Sequence, residues 1–283
     1  LPQIQAGGAR SFRRRTQYAE GRRRLGQTIA EKVLSKKNLA GRPVRAGEIL
    51  DAKIDGVMMG WHFHRVDEHM KAAGLPGGLL SIWDTERVYV MTEHSQPPND
   101  APNADRNMLC RKMAQRLGVK YFHDAVPGVQ HQMMCELGYV RPGELVLAAD
   151  SHTPMYGALN VASTGIGPPD CGHALAFGEL WFKVPNTVKV VLKGKLPNYP
   201  FAKDICMYLG ATYGDDFAQY RAIEFVGPAA DEMSIAGRMC MSAQAVEVGA
   251  KFAVFNADAK TLAYVRAPTA SPFEPVAADT DAE

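Results

Sequence analysis

The feature that most constrains this chain is an alternation. Between residues 26 and 250, short apolar runs rich in β-branched residues take turns with segments whose apolar positions recur at helical spacing. Strand-like runs are 49–57, "LLSIWD" (79–84), "RVYVMTEH" (87–94), "VKYFHDA" (119–125), "ELVLAAD" (144–150), "NTVKVVLKGKL" (186–196) and "YRAIEFVG" (220–227). Helical segments are "GQTIAEKVLSKK" (26–37), "VDEHMKAAG" (66–74), "NADRNMLCRKMAQRLG" (103–118), "VQHQMMCELG" (129–138), "CGHALAFGELWF" (171–182), "AKDICMYLGATYG" (202–214) and "SIAGRMCMSAQAVEVGA" (234–250). In the third of these, Asn103 is a candidate cap and Gly118 a candidate stop. Parallel strands need a crossover between them, and helices supply it. The pattern therefore predicts an α/β fold with mainly parallel sheets.

The flanks differ from this centre. Residues 1–24 lack apolar periodicity and read as a basic arm, 25–266 as the α/β region, and 267–283 as an acidic tail without a basic residue. Residues 1–37 hold ten Lys and Arg against Glu20 and Glu31, so the rest of the chain is net −6. An Arg-rich, acid-poor start is expected of an organelle import segment, here mitochondrial, with plastid or cytoplasmic residence as alternatives. It is equally the composition of a plain solvated tail, or of an arm that touches nucleic acid or anionic lipid. No apolar run approaches the roughly 20 residues of a membrane helix. With 46% hydrophobic residues the chain can bury a sizeable core. Five cysteines include no C-x-x-C pair, which predicts reduced, buried thiols.

Polar residues cluster where strands end. Glu93 and His94 follow the run 87–91, His131 opens a helix past the run 119–125, and Asp150-Ser151-His152 closes the run 144–150. Open α/β sheets hold ligands beyond the carboxyl ends of their strands. A carboxylate beside an imidazole fixes its tautomer and raises its basicity, so the set suits proton transfer. Each residue also has an ordinary reading: His131 as a satisfied helix-start histidine, Glu93-His94 as a surface dipeptide, Asp150-Ser151 as a cap. His62, His64 and His69 match no metal spacing. "TGIGPPD" is not G-x-G-x-x-G, since Asp170 stands where the third glycine belongs; Gly157, Gly165 and Gly167 are expected to permit close backbone packing.

The stretch "AADSHTPMYGALNVASTGIGPPDCGHALAFGELWFKVP", together with "RPGELVLAADSHT" and "GRMCMSAQAVEVGAK", resembles the aconitase superfamily, and looks most like its 3-isopropylmalate dehydratase large-subunit branch. The resemblance runs over nearly the whole chain outside the arm. It implies aconitase-like α/β/α layers, and a reaction that removes and re-adds water on a hydroxy-di- or tricarboxylate, with a four-iron, four-sulfur cluster as Lewis acid. It implies catalytic positions at Glu93, His94, His131, Asp150, Ser151, His152 and Glu247, with His94 protonating the leaving hydroxyl and Glu247 near the cluster. The departures are that none of the five cysteines matches a family cluster ligand, that Trp61 and Phe63 occupy a segment that normally carries an acid and a small polar residue, and that Ser242 and Ala243 replace a Cys and an Asn.

From these departures two expectations follow. The first is an aconitase-like domain carrying only the N-terminal part of the family fold, without cofactor or catalysis of its own, serving as a structural subunit of a larger heteromeric complex. The alternative is the iron-sulfur hydro-lyase itself, in part or as a split subunit, whose cluster and substrate site are completed elsewhere. An RNA- or ligand-binding regulator is a third reading.

Overall fold

A computed structural model of the chain describes residues 4–6, 26–124, 128–196, 202–269 and 271–282. Its elements begin with β1 (Ile4–Ala6), α1 (Ile29–Lys37), β2 (Ile49–Lys53), β3 (Gly56–Met59), α2 (Val66–Ala72), β4 (Val88–Met91), α3 (Ala101–Leu117) and β5 (Tyr121–His123). Then come α4 (Gln130–Glu136), β6 (Leu145–Ala148), β7 (Ala162–Gly165), α5 (Pro168–Phe177), β8 (Glu179–Lys183) and β9 (Thr187–Leu192). The last are α6 (Ala202–Tyr213), β10 (Ala222–Val226), α7 (Pro228–Glu232), α8 (Ile235–Gln244), β11 (Phe252–Phe255) and α9 (Ala259–Arg266).

The strands form three sheets. One has five parallel strands in the order β5-β4-β3-β6-β7. A second has the order β1-β9-β10-β11, parallel except where β1 joins β9. The third is the antiparallel pair β2-β8. The fold is thus α/β with mainly parallel sheets, as the alternation predicts. In the five-stranded sheet, successive residues serve opposite cores. Val57, Met59, Val88, Val90, Leu145 and Leu147 pack on one face; Met58, Tyr89, Met91, Val146 and Ala148 pack on the other. Both faces are covered, which is why these strands read as unbroken apolar runs. A separate core, with Val190, Leu192, Ile223, Phe225 and Leu209, lies against the four-stranded sheet.

Several local expectations need correcting. The run 49–57 is two strands in different sheets. Asp55 pins the corner between them, accepting hydrogen bonds from the Leu145 amide and Lys37 Nζ. Residues 79–84 form no strand: the Leu79 amide donates to Asp67 and the Trp83 amide to the Leu175 carbonyl, so the segment bonds to side chain and helix end. Asp100, three residues before Asn103, caps α3, while Gly118 at φ 65° ends it as expected. The helix expected over 171–182 stops at Gly178 (φ 71°), after which Leu180 and Phe182 alternate inward as a strand. β7, α7, β11 and α9 lie outside the elements that the pattern predicts.

Of the arm, Ile4–Ala6 add an edge strand to β9, and residues 7–24 lie outside the described residues. The tail is laid down on the domain. Val276 is buried, its amide and carbonyl both bonded to the Asn160 side chain, and Asp279 accepts from the Gln27 amide and pairs with Lys32.

Candidate functional site

The strand order turns at β3. The chain runs outward from it through β4 and β5, then returns by α4 to lay β6 on the other side. At such a reversal the loops leave in opposite directions and open a crevice past the carboxyl ends. Met59 of β3 is followed by Gly60, Met91 of β4 by Thr92 and Glu93, and Ala148 of β6 by Ala149 and Asp150. α4, the crossover between β5 and β6, brings His131 over the same opening. The result is a cleft of about 810 Å³ with Glu93, His94, His131, Asp150 and His152 on its walls.

Asp150 is the hub. Its Oδ1 faces His131 Nε2 at 2.8 Å and accepts from the His152 amide at 3.0 Å. Its Oδ2 accepts from Gln130 Nε2 at 2.8 Å and lies 4.0 Å from His94 Nε2. Burial opposes ionisation of Asp150, but the His131 and His152 hydrogen bonds and the neighbouring imidazoles outweigh it and bring the carboxyl down to about 2. Asp150 is therefore a fixed anion at neutral pH. His131 is held from behind by the Tyr156 hydroxyl, 2.9 Å from Nδ1. Full burial raises the Tyr156 pKa, so the hydroxyl keeps its proton and donates to Nδ1, leaving Nε2–H for Asp150. His94 is oriented by Glu93, whose Oε2 is 2.7 Å from Nδ1.

The other expected residues lie at the rim. Ser151 is exposed, with its hydroxyl 3.2 Å from His152 Nδ1. Glu247, more than half exposed on the turn after α8, reaches His152 Nε2 at 3.3 Å. All seven residues form one connected set, but Ser151 and Glu247 do not line the cleft. In the segment where the resemblance implies substrate contacts, Phe63 is fully buried in the core, and the Trp61 ring lies 3.7 Å from that of His62, tilted by 32°, with Arg106 over it. Burial lowers the His62 pKa, and the charges of His94 and Asp150 act on it, so a further imidazole stands beside the site.

Sequence reasoning missed Gln130 and Tyr156. Gln130 is 2% exposed and clips two carboxylates together, its amide bonded to Glu93 and its side chain to Asp150. Among the described residues its Oε1 has no hydrogen-bond partner, and it lies against Gly60, where an added Cβ would sit 2.9 Å away. Its place beside His131 at a helix start was the only sequence signal. Tyr156 had none: it lies in a 3₁₀ stretch, Thr153–Leu159, that reads as loop. The glycine expectation holds at two of three positions. A Cβ at Gly157 would overlap the Ala253 carbonyl and one at Gly165 would crowd the Asp150 carbonyl, whereas at Gly167 it would make only ordinary contact.

The thiols do not fit an iron-sulfur cluster. Cys110, Cys135, Cys171 and Cys206 are buried in separate places, and burial raises each pKa, to about 12 for Cys171 and Cys206. No group of three potential metal ligands forms among the described residues. Nor does any described helix have the length and apolarity to cross a membrane.

Comparison with known proteins supplies what geometry alone does not. The chain is 37% identical over 259 residues to the 3-isopropylmalate dehydratase large subunit 1 of Methanopyrus kandleri, covering 91% of this chain and 60% of that one. It is 37% identical over 262 residues to the large subunit of Thermodesulfovibrio yellowstonii (92% and 61%), and 34% over 260 to that of Aquifex aeolicus (92% and 59%). The chain thus spans about three-fifths of the length of these relatives. These names overturn the expectation of a non-catalytic structural subunit and favour the hydro-lyase alternative. That expectation gave too much weight to missing cysteines in a stretch that matches only part of each relative. Residues 82–282 match the aconitase family (aconitate hydratase), and with the relatives above this shows that the chain belongs to the aconitase family.

Proposed function

We propose that this chain is the proton-handling portion of a hydro-lyase of the 3-isopropylmalate dehydratase type, acting on a hydroxy-dicarboxylate. The observation that carries the reading is the Asp150–His131 couple facing His94 Nε2 across one open cleft. With Nδ1 tied to Glu93, His94 offers Nε2 as the group that gives a proton to a departing hydroxyl and takes it back on hydration. Asp150, 4.0 Å from Nε2, is the anion that faces this proton, and His131, locked between Asp150 and Tyr156, holds the carboxylate in place. Val129 and Met155 give the cleft an apolar side that suits an alkyl substituent on the substrate. On this reading the cluster is held by thiolates outside the described residues and a second subunit completes the enzyme, in keeping with relatives named as large subunits.

The test is turnover of 2-isopropylmalate by the full-length, partnered protein under anaerobic conditions, followed by absorbance of the alkene product. We expect turnover, reduced about 10²-fold or more in His94→Gln and in Asp150→Asn. Absence of turnover with 2-isopropylmalate in a folded, cluster-loaded assembly overturns the reading, as does full activity in both variants.

A further inference from the structure

Beyond the proton-handling cleft, a second cavity of about 420 Å³ lies on the far side of Asp150, and Lys251 lines it. The two cavities have only Asp150 in common. Lys251 follows Ala250 into β11, with its backbone amide bonded to the Arg221 carbonyl. Its ammonium lies 5.7 Å from the Phe182 ring centre and 5.6 Å from that of Tyr220. Among the described residues it has no carboxylate within 4.0 Å and no hydrogen-bond acceptor. Burial accordingly lowers the Lys251 pKa, and only the more distant charge of Asp170 opposes this. The Asp150 carboxylate lines the same cavity but makes no ion pair with the ammonium within 4.0 Å, and is bonded instead by His131, Gln130 and the His152 amide.

An ammonium carries three donors, and two aromatic faces satisfy its charge without accepting a hydrogen bond. A half-sequestered cation with no acceptor, opening on a cavity, calls for an anion. The walls say which kind. Ser151 and Thr164 bring hydroxyls, whereas Ile166 and Val246 are apolar. We propose that this cavity binds a small aliphatic carboxylate, its carboxylate on Lys251 and its alkyl end on Ile166 and Val246. The inference does not depend on the proposed hydro-lyase activity, and its test reads binding alone.

The experiment is a titration of the ¹⁵N-labelled full-length protein with sodium isobutyrate, with inorganic phosphate as the second arm, followed by amide chemical shifts. Saturating shifts at Lys251, Ile166 and Val246 are expected with isobutyrate, and none that saturate with phosphate. Lys251→Met should weaken isobutyrate binding about tenfold or more, while Lys251→Arg stays within about threefold of the parent. Val246→Asp, which leaves the lysine intact and sets a like charge in the wall, should abolish binding, and serves if Lys251→Met fails to fold. Undiminished binding by Lys251→Met or by Val246→Asp overturns the proposal. So does phosphate saturating the same amides as isobutyrate, because the apolar walls would then select nothing.

Discussion

The molecule holds two aspartates whose pKa falls to about 2, and they serve opposite ends. Asp150, past β6, is surrounded by groups that carry movable protons: His131, His94 and the His152 segment, at the mouth of an open cleft. Asp258, past β11 in the other sheet, caps α9 through the Thr261 amide and pairs with Arg238 at 2.5 Å. Arg238 is only 1% exposed, lies over the Phe255 ring and also donates to Thr261 and the Asp231 carbonyl. In both aspartates burial raises the pKa and hydrogen bonds overcome it. A guanidinium keeps its proton throughout the working range of pH, so the second arrangement can only hold structure. An imidazole can release its proton, so the first can do chemistry. A depressed carboxylate therefore marks a site only through the partner that depresses it.

The largest effect should come from breaking the structural pair. Asp258→Ala strands the Arg238 charge in the core and should cost ~3 kcal/mol of stability, the low end for a buried pair because Asp258 is one-third exposed. Urea unfolding measures it, and a loss under ~1 kcal/mol would show that Asp258 and Arg238 are not a structural pair. The next effect concerns acid. Each aspartate titrates near 2 when folded, against an ordinary 3.8, so its contribution is complete above about 3.8 and is lost as pH falls through 2. For Asp150 the ceiling is ~2 kcal/mol, and solvent screening lowers the Asp258 share. Acid unfolding curves of Asp150→Asn should flatten between pH 4 and 2; an unchanged curve would show that Asp150 is not held as described. The smallest effect is expected from Gly60→Ala. Its Cβ meets Gln130 Oε1 and loosens the clip on Asp150, costing ~1 kcal/mol and moving the Asp150 carboxyl resonance midpoint upward in carbon-detected NMR.

The same contrast explains what was legible in the sequence. The alternation sets the fold class because strands buried on both faces read as apolar runs and the helices between them supply the parallel crossovers. Glu93, His94, His131 and Asp150 were visible because strand ends are marked by the break from apolar to polar residues. Their convergence on one cleft depends on the strand order, which puts β6 beside β3 and is not encoded in local pattern. Gln130 and Tyr156 were invisible because their roles come from burial against distant residues: Gln130 under Gly60, Tyr156 behind His131. Asn103 is the cap the sequence offers, whereas Asp100 caps α3; Pro102 in the first turn is compatible with that earlier start, because the amide it lacks has no partner within the helix there. The tail was read from composition alone, which cannot register that Asn160 seizes the backbone at Val276.

That tail has a consequence for how the protein is made. The Gln27 amide, next to the cap of α1, finds its acceptor in Asp279, 252 residues away, and Lys32 reaches the Ala277 carbonyl across a similar span. The Ile29 amide, in the first turn of the same helix, waits for Glu224. During synthesis α1 emerges among the first described elements, yet its partners follow roughly 10–50 s later at ~5–20 residues per second. For that interval a nascent chain carries a helix whose start lacks its Asp279 and Glu224 acceptors. The ribosome must add 252 residues beyond Gln27 before the start of that helix can settle, which makes it a segment that waits for its final environment.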